Sequence, residues 1–262
     1  MRKVISTLLA ITLLFSISTV FGQASTIIDQ SNLAKGVVAV QNPVSDKQTR
    51  VMVEKDGKRY TYTLQKDHQT TFPLQLGNGE YRVSLLENTT GNKFKVLSRE
   101  TINLQLKNEQ VVFLNSVQNV NWDDSMKAIK KAKELTKTAK TDEEKIRRIY
   151  QYIVSNVQYD FDKKNTVKAG YIPVIDDVFN SNKGICYDYS SLFAAMLRSV
   201  GVPTKLVMGH TTLIDEYHAW NEVFVNGKWV IVDLTIDASL LKSKKKTEMI
   251  KNKKDYKTSF EY

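Results

Sequence analysis

The hydrophobic period of this chain changes once, and the change divides it into two kinds of structure. From Gly36 to Phe113 apolar residues recur in short runs bounded by turn residues: "GVVAVQ", "TRVMVEK", "KRYTYTL", "TFPLQL", "EYRVSLLE", "KFKVLSRETINLQL" and "QVVFLN". Alternation of this kind turns one face of each strand inward. Asp56-Gly57 and Asn78-Gly79 stand between runs and read as hairpin turns, since these residues accept positive φ. Regularly spaced strands of this number predict a small β-sandwich over residues 36–118. No chemistry is legible in it; His68, next to Asp67, reads as an exposed turn residue.

After "NSVQNVNW" the spacing becomes helical. Met126, Ile129, Ala132 and Leu135 mark one stripe, and Ile146, Ile149, Tyr150, Ile153 and Val157 a second. Thr141 with Glu144 three residues on is a capping box that starts the second helix. A third helix opens at Cys186, buries Tyr189, Phe193, Met196, Leu197 and Val200, and stops at Gly201 and Pro203. Three strand-like runs follow, "TKLVMGH", "YHAWNEVFV" and "KWVIVDLTI", the last two joined by Asn226-Gly227. The expected fold class is α+β, with helices packed on an antiparallel sheet over residues 119–241, after the all-β domain.

The ends differ from this body. Arg2 and Lys3 precede "VISTLLAITLLFSISTVF", and the small residues Gly22 and Ala24 follow at cleavage spacing. This predicts a signal peptide over residues 1–24, with an uncleaved membrane anchor as the alternative, and a short linker over 25–35. The expected location is secreted or cell envelope. Of the formal net charge of +10, much sits in residues 242–262, where eight lysines face three acids. We read this as a solvated, Lys-rich C-terminal tail; its functional alternative is loose attachment to an anionic cell-wall polymer or membrane surface. Base-reading aromatics at a recognisable spacing are missing, so no nucleic-acid partner is expected.

One cysteine, Cys186, cannot form an internal disulfide, and an unpaired thiol in an oxidising compartment asks for a reason. It follows Lys183-Gly184-Ile185 and opens its helix, where free N–H groups and the helix dipole favour a thiolate. The hairpin supplies partners. With Asn226 and Gly227 as a two-residue loop, Val225 faces Lys228, His218 faces Thr235 and Asp233 faces Trp220. His218 and Asp233 then lie on one face as diagonal neighbours, ~7–8 Å apart at the backbone. An acid so placed holds the imidazole tautomer and steadies the imidazolium. That the helix meets the hairpin is an expectation that spacing alone does not supply.

"GICYDYSSLFAAMLRSVGVPTKLVMG" followed by "HAWNEVFVNGKWVIVD" resembles the transglutaminase-like superfamily, over roughly residues 125–240. The resemblance implies a papain-like α+β core with Cys186 as nucleophile, His218 as base and acid, and Asp233 as orienter. Asp188 and Tyr189 match residues common beside the nucleophile, while Ser190 stands where Ala is frequent. The implied chemistry is attack on an amide carbonyl of a protein or peptide substrate, through a thioester on Cys186. An amine acceptor gives transglutaminase-type cross-linking; water gives a cysteine peptidase or amidase; a non-catalytic envelope-binding module is the alternative from another class. Trp220, Tyr187, Asp188 and Asn221 are candidates for site support, and Tyr159 and Asn221 for oxyanion or pocket roles beside the backbone N–H of Cys186. Trp220 also reads as core, Glu222 as a structural ion-pair residue, and His210 as a competitor for the base. No cofactor is expected, and no metal, since there is one thiol and no paired cysteine spacing.

Overall fold

The computed structural model describes residues 27–42, 46–65 and 69–262; the expected signal peptide and His68 lie outside the described residues. The first unit holds β1 (Ile28–Asp29), β2 (Val37–Gln41), β3 (Thr49–Lys55), β4 (Lys58–Thr63), β5 (Gln69–Pro73), β6 (Gly79–Asn88) and β7 (Phe94–Leu104). Among the described residues these form two antiparallel sheets, in the orders β1-β2-β5 and β4-β3-β6-β7. Val38, Val40, Val51, Val53, Phe72, Tyr81, Val83 and Leu85 fill the space between them. Every second residue of β3, β4 and β6 turns inward, as the alternation requires.

Three expectations for this region need correction. Residues 25–35 are not simply a linker: Ile28 pairs with Val40 and Asp29 with Ala39, adding an edge strand to the sandwich. Asp56-Gly57 is a hairpin turn, with both φ positive and Lys55 opposite Lys58, but Asn78-Gly79 is not, because β5 and β6 belong to different sheets. The Asn78 side chain instead clamps the crossover, donating to the Leu106 carbonyl at 2.8 Å and accepting from the Leu106 N–H at 2.6 Å. "QVVFLN" lies in a 3-10 helix, Glu109–Leu114, started by the Asn108 side chain accepting from the Gln110 N–H. That local bond competes with strand pairing and wins despite the β-branched residues.

The second unit runs α1 (Lys127–Thr136), α2 (Asp142–Asn156), β8 (Gln158–Tyr159), α3 (Phe161–Thr166), α4 (Ile175–Ser181), β9 (Lys183–Gly184) and α5 (Cys186–Ser199). It continues through β10 (Thr204–Thr211), β11 (Ile214–Val225), β12 (Lys228–Val232), α6 (Leu234–Lys242), β13 (Ile250–Lys251) and β14 (Tyr256–Glu261). A five-stranded antiparallel sheet, ordered β13-β12-β11-β10-β14, carries α5 on one face. The hairpin arithmetic holds as far as Asn221: Asn226 and Gly227 have positive φ, and Val225 pairs with Lys228 and Asn221 with Val232, but the expected pairs His218 with Thr235 and Trp220 with Asp233 do not form. The run "KWVIVDLTI" changes state partway, since β12 ends at Val232 and Asp233 caps α6. Helix α5 is enclosed all round from Asp188 to Arg198 rather than along one stripe. Ser190, Ser191, Ala194 and Ala195 are small enough for neighbouring elements to close over them.

Residues 242–262 are not a frayed tail. Ile250–Lys251 pairs with β12, and β14 adds an edge strand against β10, with Thr211 opposite Tyr256 and Met208 opposite Phe260. Lysines do not prevent this: Lys257 lies outward with its charge in water, Lys251 pairs with the buried Asp237, and Tyr256 and Tyr262 are half-buried while Phe260 stays exposed. Tyr262 packs against the cores of both units. Arg198 ties the same joint: its buried guanidinium donates to the main-chain oxygens of Thr204 at 2.8 Å, Asn115 at 2.8 Å and Tyr262 at 2.7 Å. Among the described residues no helix is long and apolar enough to cross a membrane.

Candidate active site

Cys186 is the first residue of α5, and the turn that presents it is held by Asp188. The Asp188 carboxylate is fully enclosed and accepts from the Ile185 N–H at 2.8 Å and from the Tyr171 hydroxyl at 2.6 Å, with Lys163 Nζ 2.7 Å away. Gly184 makes room for this: a Cβ there would lie 2.5 Å from the Asp188 Cβ. The Gly-Ile-Cys-x-Asp spacing therefore builds a rigid helix start, with the thiol on its solvent side.

Opposite stands His218, on β11 and only 2 % exposed. Its Nε2 lies 2.8 Å from Asp233 Oδ2, and Cys186 lines the same cleft as His218. With Nε2 taken by the carboxylate, Nδ1 is the nitrogen left for the thiol. Burial works against an imidazolium here, but the bonded Asp233 carboxylate and nearby Cys186 outweigh it and hold His218 up, to about 10. Asp233 Oδ1 caps α6 by accepting from the Ile236 N–H at 3.2 Å. The imidazole thus uses Nε2 for the carboxylate, in the cleft that Cys186 lines.

The supporting candidates separate. Trp220 is fully buried on the face of His218, ring centroids 6.3 Å apart and planes 28° from parallel. Tyr159 lines the cleft over Cys186, about 380 Å³ in volume, with Phe161, Ile185, Ile214 and Tyr217 as its apolar walls. Tyr187 does not line it; its hydroxyl accepts from Asn119 Nδ2 at 2.8 Å, between the two units. Asn221 is likewise turned away, donating to the Ser190 and Lys205 carbonyls at 2.9 and 3.0 Å. It ties α5 to the sheet, which overturns the oxyanion expectation for it. Glu222 lies 3.8 Å from Lys205, and His210 is exposed with its ring against Tyr217, away from Cys186.

One site residue was missed. Tyr256, in the segment read as a tail, donates to Asp233 Oδ2 at 3.0 Å and packs its ring 5.0 Å from that of Trp220. Its signal is the period-2 series Tyr256, Thr258, Phe260, Tyr262, hidden among lysines.

A thiol at the start of an enclosed central helix, in one cleft with a histidine on an antiparallel sheet whose aspartate partner caps the helix that follows, defines a papain-like α+β core. Residues 129–234 match the family model of the Transglutaminase-like superfamily, and this region is a transglutaminase-like domain. Over 119 residues the chain is 29 % identical to the kyphoscoliosis peptidase of Homo sapiens, a match covering 41 % of this chain and 18 % of that protein's length. It is similar in structure to a candidate cysteine protease from Cytophaga hutchinsonii (16 % identity, TM-score 0.44, 76 % of this chain and 71 % of that one). It is also similar to red sea bream transglutaminase (13 % identity, TM-score 0.32, 76 % and 48 %).

Proposed function

We propose that the second unit is a thiol acyl-transfer enzyme acting on protein or peptide amides, with Cys186, His218 and Asp233 as its triad. The observation that carries this reading is the imidazole bonded to a buried carboxylate in the cleft that Cys186 lines. In the first step the Cys186 thiolate attacks the amide carbon and a C–S bond forms. The developing oxyanion meets the N–H of Cys186 at the helix start. His218 gives its proton to the departing amine, the C–N bond breaks, and a thioester remains. A second nucleophile then loses its proton to His218 and displaces the thiol. Asp233 steadies the imidazolium throughout.

An amine in the second step makes the reaction cross-linking, our first reading; water makes it hydrolysis. The second reading is favoured by the 29 % identity to a protein named as a peptidase. We place the activity outside the membrane, on envelope proteins or wall peptides, with the exposed lysines 244–246 as the contact for an anionic surface.

The test is incubation with a dansylated amine and a glutamine-rich acceptor protein, following label incorporation and release of ammonia or peptide. Cys186-dependent labelling supports transfer to amines; Cys186-dependent release without labelling supports hydrolysis. The Cys186→Ala variant is expected to lose at least about a thousandfold in either. Silence in both, in wild type as in variant, overturns the enzymatic reading in favour of a binding module.

A further inference from the structure

We propose that Tyr256 is a fourth member of the Cys186–His218–Asp233 array, a positioning residue whose hydroxyl holds the Asp233 carboxylate toward His218 and shares its charge. The proposal rests on the reading above for the reaction it serves, though not for its test.

The argument starts from the two oxygens of Asp233. Oδ1 accepts from the Ile236 N–H at the start of α6, and Oδ2 accepts from both His218 Nε2, at 2.8 Å, and the Tyr256 hydroxyl, at 3.0 Å. Donors reach it from α6, β11 and β14, so the carboxylate has one orientation. A carboxylate with no exposure costs free energy unless such donors replace water. Tyr256 is a durable donor, because burial, followed by the charge of Asp233, pushes its hydroxyl well above the ordinary value of 10.

The fold is adapted to bring this residue in. β14 lies so close to β10 at Gly209 that a Cβ there would stand 2.1 Å from the Lys257 carbonyl oxygen and 2.9 Å from the Trp220 ring. The missing side chain lets Trp220 lie over His218 while Tyr256 closes against it. The residue belongs to a strand beyond the region matched at 129–234, so the array is completed by a separate element of the chain.

The titratable and charged groups facing the pair are few. Cys186, from α5, faces His218; Asp237 from α6, Tyr150 from α2 and Tyr256 from β14 face Asp233, and Asp237 is paired with Lys251. Of these, Tyr256 alone among the described residues donates a side-chain hydrogen bond to the oxygen that holds His218. Removing its hydroxyl concentrates charge on the remaining donor, so the carboxylate draws the imidazole proton harder while losing one of its restraints.

The experiment compares wild type, Tyr256→Phe and a chain carrying 3-fluorotyrosine at position 256, a stronger donor of nearly the same shape. His218 titration is followed by ¹⁵N NMR of the imidazole, and Cys186 reactivity by iodoacetamide alkylation across pH. The expected results are an upward shift of the His218 titration in Tyr256→Phe, a downward shift with fluorotyrosine, and an alkylation profile displaced to lower pH in Tyr256→Phe and to higher pH with fluorotyrosine, because a more basic imidazole favours the thiolate. Unchanged titrations, or shifts of the opposite sign, overturn the proposal and leave Tyr256 as packing. If Tyr256→Phe does not fold, the fluorotyrosine chain decides alone. A wild type without turnover removes the enzymatic reading, yet both probes still report on Tyr256.

Discussion

The two units bury different kinds of side chain. Among the described residues of the sandwich the enclosed polar ones are neutral: Asn42, Thr49, Gln75 and Ser84. They patch local gaps, as when Thr49 donates to Asn42 Oδ1 at 2.8 Å and Asn42 donates to the Gln65 carbonyl at 2.9 Å. The second unit encloses Asp188, Arg198, His218, Asn221, Asp233 and Asp237. Enclosing an ion is costly unless partners and hydrogen bonds replace its water. Asp188 fixes the helix start under the thiol, Asp233 fixes the imidazole, and Arg198 fixes the joint between units. The difference teaches that the sandwich is held by apolar area, whereas the second unit gives up stability to hold a few groups in place.

The sharpest way to break this contrast is at Arg198, which serves both units. Arg198→Ala removes a donor from three main-chain oxygens, of which that of Tyr262 keeps the Leu206 N–H, and opens a cavity at the joint. Chemical denaturation is expected to show a loss of ~3–5 kcal/mol, with sandwich and second unit affected together. A transition that splits in two would instead mark them as independent.

A smaller effect, confined to the second unit, comes from pH. His218 in the folded protein is held up to about 10 against an ordinary 6.5, so its proton stabilises the fold. That contribution is complete below about pH 6.5 and is lost as pH rises through about 10. The denaturation midpoint of wild type should fall across this window more steeply than that of Asp233→Asn, in which the imidazolium lacks its counter-charge. Equal slopes would contradict the bonding described here.

The smallest effect is expected in the sandwich. The Tyr81 hydroxyl bonds the carbonyls of Leu74 and Gly77 at 2.8 and 2.7 Å, and Tyr81→Phe should cost about 1 kcal/mol in a melting experiment while leaving Cys186 alkylation unchanged. A change in alkylation would mean that the sandwich shapes the thiol site and is more than a support.

How much was legible depended on whether a local rule decided the matter. Asn226-Gly227 dictates a two-residue turn, and from it the register to Asn221 and Val232 follows; the pairing ends there, so His218 meets Asp233 at the cap of a helix, not as a diagonal neighbour in the sheet. The start of α5 at Cys186 was equally local. Asn78-Gly79 obeys the same turn preferences, yet its strands diverge into two sheets, which only the tertiary packing decides. Asn221 was misread because an amide two residues from nothing but strand carries no sign of which carbonyls it will meet. Tyr256 was hidden by composition: charge density dominated a segment whose alternation, read by itself, spells an edge strand.

Residue 256 follows the thiol helix, the histidine strand and the aspartate cap in order of synthesis. A nascent chain therefore displays its nucleophile before the last clamp on its acid exists. A chain cut before this strand would carry Cys186 without the Tyr256 bond to Asp233, and would also lose Tyr262, which packs against both cores.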